Sequence, residues 1–375
     1  MPLVRVVVTG AAGFVGSHLV ATLAAAGHDV LAVDAPGRAA SPEAAVANRA
    51  ALARAGVPVT DSDLATDDLA PLVRADAILH LAGRPGVRSS WGSGAADAYR
   101  DNITATGRLL AACAARPAGR RPRFVLASSS SVYGSAERPC AEDDPISPQS
   151  PYARSKAVAE RLAQRAAARD GVPTVILRYF SVYGPRQRPD MAFHRFIEAA
   201  LDGVPAPLYG DGRQSRSFTF VGDVVEATVR AARAPLAPGT VLNVGSPVPV
   251  GVRDALARIG TLLGAPAPTV AAAAAPGDVA RTWAGADRAA RLLGWTARTG
   301  LDEGLARQVA WHRERRDPGR ELHRPGRDTD HDQHRPDRDT DHDQHRPGRD
   351  TDHDQHRPGR DQHRPGRERR EPSRA

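Results

Sequence analysis

The chain has 375 residues, 41% of them hydrophobic and only 5% aromatic, enough for a packed core in one large domain or two of ordinary size. Its formal charge of +8 raises nucleic acid as a partner. The basic residues are scattered, aromatic stacking residues are scarce and no nucleic-acid motif is present, so the arginines are assigned to an anionic small molecule instead.

Cys113 and Cys140 give neither a disulfide framework nor metal-ligand spacing, and they read as one helical and one loop thiol in a reducing compartment. No metal site is expected. Val4-Arg5-Val6-Val7-Val8 runs straight into a glycine motif, which fits no signal peptide, and no apolar run approaches the ~18 residues that span a bilayer. The expectation is a soluble, cytoplasmic protein without a membrane partner.

Leu3 to Thr9 is a β-branched run that passes into Gly10-Ala11-Ala12-Gly13-Phe14-Val15-Gly16, followed by a helical pattern through Ala26 with Gly27 as C-cap. Strand, glycine turn and helix are the context of a dinucleotide fingerprint: glycines admit a pyrophosphate, and the helix N-terminus offers N–H donors. A second strand, Asp29 to Val33, ends in Asp34, whose carboxylate suits an adenosine ribose and disfavours a 2'-phosphate. NAD is therefore preferred to NADP, with Arg38 close enough to bear on the choice.

Val57 to Thr60 is a third strand, and Asp63 after it either meets the adenine edge or caps a helix. Ala77-Ile78-Leu79-His80-Leu81-Ala82-Gly83 is a buried strand ending in small residues over which a cofactor can lie, with His80 as a core histidine. The loop Arg84 to Trp91 combines cations and hydroxyls suited to a phosphate or carboxylate. A helix from about Ala95 to Ala115 carries Asn102 as a brace for the site. Arg123 to Ala127 then leads into Ser128-Ser129-Ser130-Ser131-Val132-Tyr133-Gly134, hydroxyls at a strand end where ligands bind in a doubly wound sheet.

Lys156 is the only lysine; the other 50 basic residues are arginine. A helix starting after Pro151 puts it on one face with Tyr152, pairing a phenol with a compact cation able to shift its pKa. Pro173 to Phe180 is a sixth strand. The alternation predicts an α/β fold with a doubly wound parallel sheet over residues 1–180. Residues 181–316 read as a smaller lobe, able to return strands or helices to the first domain. Residues 317–375 read as a disordered tail, because the His-Arg-Pro unit from His323 restarts at His334 and His345 without an apolar seam.

In this order GAAGFVG, HLAG, SSSSVYG, YARSK, LRYFSVYGPRQRPDM and GDGRQSRSFTF resemble the nucleotide-sugar epimerase branch of the extended short-chain dehydrogenase/reductase family, over about residues 3–316. The resemblance implies a Rossmann-like fold, bound NAD and a homodimer through helices at about 95–115 and 152–169. It implies Tyr152 as acid/base, Lys156 lowering its pKa and binding the nicotinamide ribose, and Ser129 hydrogen-bonding the reacting hydroxyl. The cofactor set it implies is Gly10, Gly13, Phe14, Val15, Gly16, Asp34, Asp63, Leu64, Leu81, Ala82, Gly83, Asn102, Tyr152, Lys156 and Tyr179. The substrate set is Arg88, Ser129, Ser130, Ser181, Arg188, Arg216 and Arg281.

Relatives that dehydrate or decarboxylate carry a carboxylate pair or a Glu before the Val-Tyr-Gly step, where this chain has Ser130 and Ser131. That leaves C4 epimerisation of a UDP-sugar. Tyr183 to Met191 looks like UDP-glucuronate 4-epimerases, in which Ser181 and Arg188 match residues facing the sugar carboxylate. The alternatives are UDP-glucose as substrate or another NAD-dependent nucleotide-sugar epimerase/dehydratase activity, and, of another class, a non-catalytic NAD sensor or scaffold. Ser217 and Gly222 depart from the family, where Asp is usual.

Overall fold

The structure is a computed structural model that describes residues 5–274 and 276–317; Leu3, Val4 and the repeat tail lie outside the described residues. Its principal strands are β1 (Arg5–Thr9), β2 (Asp29–Asp34), β3 (Val59–Asp61), β4 (Ala77–His80), β5 (Arg123–Ser129) and β6 (Thr174–Tyr179). The helices are α1 (Phe14–Ala25), α2 (Pro42–Arg54), α3 (Gly94–Tyr99), α4 (Ala105–Ala114), α5 (Pro151–Asp170), α6 (Ala192–Asp202), α7 (Val221–Arg233), α8 (Val252–Leu263), α9 (Asp287–Leu293) and α10 (Leu301–Arg316). No helix among the described residues is long and apolar enough to cross a membrane.

Seven parallel strands form the sheet, in the order Thr240–Val244, β6, β5, β4, β1, β2, β3. Strand alternation feeds two cores. Val6 and Val8 pack with Leu19 and Leu23 of α1 and Val224 of α7, while Val7 packs with Ile78, Phe124 and Leu126 against Leu109 and Ala163. The chain runs outward from β1 to β3 and returns on the other side as β4. The β1/β4 crevice is therefore the switch point at which such sheets bind ligands.

Two elements differ from expectation. β3 begins at Val59 because the Val57 N–H is spent on Leu52 O (3.0 Å) in closing α2. The expected single helix at 95–115 is interrupted by a π turn, Arg100–Thr104, which holds Asn102; the Thr106 hydroxyl donates to Asn102 O (2.7 Å) there. Beyond β6, short strands pair locally, Val182–Tyr183 with Thr219–Phe220 and Ser215–Arg216 between Val250–Gly251 and Arg281–Thr282, before Thr240–Val244 rejoins the main sheet. His312 and Arg316 of α10 both engage Glu198 of α6, which ties the last helix to this region.

A buried ion pair fixes α5 against the sheet. Glu160 accepts from Arg178 of β6 at 2.8 Å (Nη2) and 3.0 Å (Nε) and also from the Ser128 hydroxyl, while Arg178 donates to Tyr133 Oη (2.7 Å) and Glu142 O (3.0 Å). Their side chains are 5% and 3% exposed, so each charge depends on the other. Glu160→Ala, which strands the guanidinium, is expected to lower the unfolding free energy by about 3–5 kcal/mol in urea titrations.

Candidate active site

The first turn of the sheet is built around glycine for steric reasons. Gly10 has φ +71°, and a Cβ there would lie 2.7 Å from Ala82 N; a Cβ on Gly16 would meet Gly10 O at 2.0 Å. The turn can therefore press against the end of β4, and no side chain caps α1, which leaves its leading N–H groups to a ligand.

These residues border a cavity of about 470 Å³. Its walls include Gly10, Gly13, Phe14, Val15, Gly16, Asp34, Asp63, Leu64, Leu81, Ala82, Gly83, Ser129, Ser130, Tyr152, Lys156, Tyr179, Ser181, Arg188 and Arg216. A second cavity of about 240 Å³ adjoins it and shares Ser181, Arg216 and Asp278 with it.

At one end Asp34 accepts from the Ala12 and Ala35 N–H groups at 2.8 Å each; burial raises its carboxyl above the ordinary range, against these bonds. Arg38 donates to Asp97 (2.8 Å) and Asp101 (2.9 Å), so its charge is spent and is not free for a 2'-phosphate. Asp63 accepts from Ala65 N (2.9 Å) at a turn rather than at a helix start, and pairs with Arg100 (2.5 Å).

At the other end α5 starts with Ser150, whose hydroxyl accepts from Ala153 N (3.1 Å), and Pro151 takes the first helical position. Ser90 of the preceding loop accepts from Tyr152 N at 3.1 Å. The Tyr152 phenol meets Ser129. Ser131 donates to Ser129 Oγ through its amide (3.2 Å) and its hydroxyl (2.9 Å). The hydrogen bond between Ser129 and the phenol favours phenolate. Burial raises the phenol above its ordinary value; the Ser129 bond and the Arg188 charge oppose this.

Lys156 donates to Ala127 O (2.9 Å), and burial lowers it to about 8, with Glu160 opposing. Arg188 also acts on the phenol as a nearby positive charge. Arg188 is itself held by both oxygens of Asp190, at 2.9 and 3.0 Å.

Three expected residues, Asn102, Arg88 and Arg281, lie off the main cavity wall, and Tyr179, on the wall, has its hydroxyl engaged. Asn102 is a brace outside the cavity wall: it accepts from Arg84 N (2.9 Å) and donates to Arg84 O (3.0 Å) and Ser155 Oγ (2.8 Å), tying the end of β4 to α5. Arg88 lines the second cavity, pairs with Asp278 (2.7 Å) and lies 3.9 Å over the Tyr209 ring. The Tyr179 hydroxyl bonds Thr228 (2.7 Å). Arg281 is exposed and borders neither cavity, because the inward position of its strand is taken by Thr282. His80 is buried between Thr9 (2.8 Å) and Thr106 (2.9 Å), and burial lowers it to about 3, as befits a core histidine. Ser217 is buried too, and its hydroxyl accepts from Ala284 N at 3.0 Å. Arg186, to which the sequence motifs assign no role, also lines the main cavity.

A glycine-turn cradle at a sheet switch point, joined to a Tyr-Lys pair, defines an extended short-chain dehydrogenase/reductase. The chain belongs to the NAD-dependent epimerase/dehydratase family, whose model matches residues 6–245. It is 37% identical over 310 residues to the uncharacterized UDP-glucose epimerase YtcB of Bacillus subtilis, covering 82% of this chain and 97% of that one. The UDP-glucuronic acid 4-epimerase of Bacillus cereus, solved with UDP-glucuronic acid and NAD, superposes with a TM-score of 0.78 at 34% identity, covering 83% and 99% of the two chains. MoeE5, solved with NAD and either UDP-glucuronic acid or UDP-glucose, gives 0.74 at 42% identity with the same coverage. The cofactor is NAD, and the uncapped α1, the glycine cradle and Asp34 fit it.

Burial makes the folded protein hold the Lys156 proton less well than the unfolded chain does. Stability therefore rises with pH from about 8 to the ordinary lysine value of 10.5. In the protein without nucleotide, Lys156→Met is expected to exceed wild type in urea stability below pH 8. That advantage should shrink steadily as the pH rises to 10.5.

Proposed function

We propose that this protein interconverts UDP-glucuronate and UDP-galacturonate by inverting C4. The observation that carries this reading is the Ser129–Tyr152 pair facing a cavity in which Arg188, rather than a carboxylate, stands beside the phenol. Among the described residues, the carboxylates lining this cavity are Asp34, Asp63 and Asp101 toward the ribose end and Asp278, which is paired with Arg88. Elimination of water lacks an acid at the phenol end. The chemistry that NAD supplies when bound is reversible two-electron oxidation at C4.

The side chains divide the remaining work. Tyr152 takes the C4 hydroxyl proton and later returns it, and Ser129 hydrogen-bonds the C4 oxygen. Lys156 positions the ribose beside them. Arg188 pairs with the C6 carboxylate through its planar fork, with Ser181 at its side. Arg216, half-buried and hydrogen-bonded to carbonyl oxygens of Ser215, Val279 and Ala280, lies where the two cavities join and suits the sugar nucleotide's diphosphate. The 4-keto sugar then turns about its diphosphate to present its other face.

A second reading, UDP-glucose as substrate, is favoured by the Arg188–Asp190 pair. A neutral hexose leaves that pair intact, whereas a uronate must displace Asp190. We also infer a homodimer through the helices at 95–115 and 152–169, where Tyr99 is exposed; light scattering at twice the chain mass is the expected result.

Proton NMR of mixtures without added cofactor is expected to show UDP-galacturonate forming from UDP-glucuronate. Conversion of UDP-glucose alone would overturn the carboxylate assignment. Tyr152→Phe should reduce kcat by about 10²–10⁴-fold while sugar-nucleotide binding, read by calorimetry, holds. Arg188→Ala should raise KM for UDP-glucuronate about tenfold or more and leave UDP-glucose unchanged.

A further inference from the structure

We propose that Arg186 grips the diphosphate of NAD from the side opposite the glycine turn. Four other arginines around the site are held by aspartates, Arg38 by Asp97 and Asp101, Arg84 by Asp101, Arg88 by Asp278 and Arg188 by Asp190, while Arg216 is taken up by backbone carbonyl oxygens of Ser215 and Val279. Arg186 has no such partner. Its Nη1 is buried without a hydrogen bond, and no ion pair reaches it among the described residues. Burial alone acts on its pKa, lowering it. A half-buried cation with an unsatisfied nitrogen and no counter-charge is costly, and an anion in the cavity that Arg186 lines offsets that cost.

The backbone points to the same role. Arg186 has φ +64°, and among the described residues no other non-glycine side chain stands at positive φ. Neighbouring bonds hold it there: Gln187 N donates to Gly184 O (3.1 Å), and Gln187 Nε2 donates to Val182 O (3.2 Å). The adjoining Pro185 O meets His18 Nε2 at 2.9 Å, which seats the loop against α1 one turn from its start. The guanidinium is close enough to help lower His18, which stands at about 4. Arg186 is thereby placed across from the uncapped N–H groups of α1, where a dinucleotide's diphosphate belongs. Arg216, at the junction of the cavities, is left to the sugar nucleotide.

The inference rests on NAD as the cofactor, not on which sugar is turned over, so a binding readout separates the two. Arg186→Gly keeps the left-handed backbone and removes the charge. Protein stripped of nucleotide would be titrated calorimetrically with ADP-ribose, adenosine and UDP, with thermal unfolding of the same samples. The expected result is about a tenfold or greater loss of ADP-ribose affinity, unchanged adenosine and UDP affinity, and a Tm no lower than wild type. Unchanged ADP-ribose binding in a variant of intact Tm would overturn the proposal. A loss confined to UDP would also overturn it, by assigning Arg186 to the other diphosphate.

Discussion

The register of α5 against β5 and β6 decides whether this chain has a reaction centre at all. One face of that helix carries Tyr152, Lys156 and Glu160 at successive four-residue steps, placing a phenol, an ammonium and a carboxylate along about 12 Å. Glu160 is locked to Arg178 of β6 and to Ser128 of β5, so the lower end of the stripe cannot slide. The upper end is set by Ser150 and Ser90, which satisfy the N–H groups of the first turn. Between these fixed points Lys156 reaches Ala127 O, and Tyr152 meets the hydroxyl of Ser129. The energetic cost of burying charge behind the site is the reason its geometry has one solution.

Charge around the cavity follows a consistent division. Where an arginine would interfere, an aspartate holds it: Arg38 is neutralised beside the ribose end, and Arg88 is strapped to Asp278 while its face covers Tyr209. Arg188 is held in a form that another carboxylate can exchange into, because Asp190 occupies both arms of its fork. Arg186 and Arg216 lack carboxylate partners, and each lines space suited to a phosphate. A net positive chain of this kind needs no polyanion to account for its arginines.

Much of the fold could be read from the sequence because its signals are local. β1, the glycine turn and α1 are specified by consecutive residues, as are the Pro151 helix start and the hydroxyls ending β5. What escaped depends on distant partners. The π turn at Arg100–Thr104 accompanies Asn102 bonding Arg84 and Ser155, and the placement of Thr240–Val244 beside β6 has no signature in its own residues. Arg281 fell outside the site because strand alternation gave the inward position to Thr282, a parity that a motif match does not fix. Arg186 was visible as a charge but not as an unpaired one, since burial and a positive φ are properties of the folded loop.

Inversion at C4 rests on oxidation and re-reduction of one carbon within one site. The most direct test is turnover of UDP-glucuronate deuterated at C4, followed by mass spectrometry and NMR of the UDP-galacturonate, with a matched run of unlabelled substrate in D2O. Deuterium kept at C4 in the product, with none gained from D2O, is the predicted result. Loss of the C4 label, or solvent deuterium appearing at C5, would contradict it and require a different way of inverting the sugar.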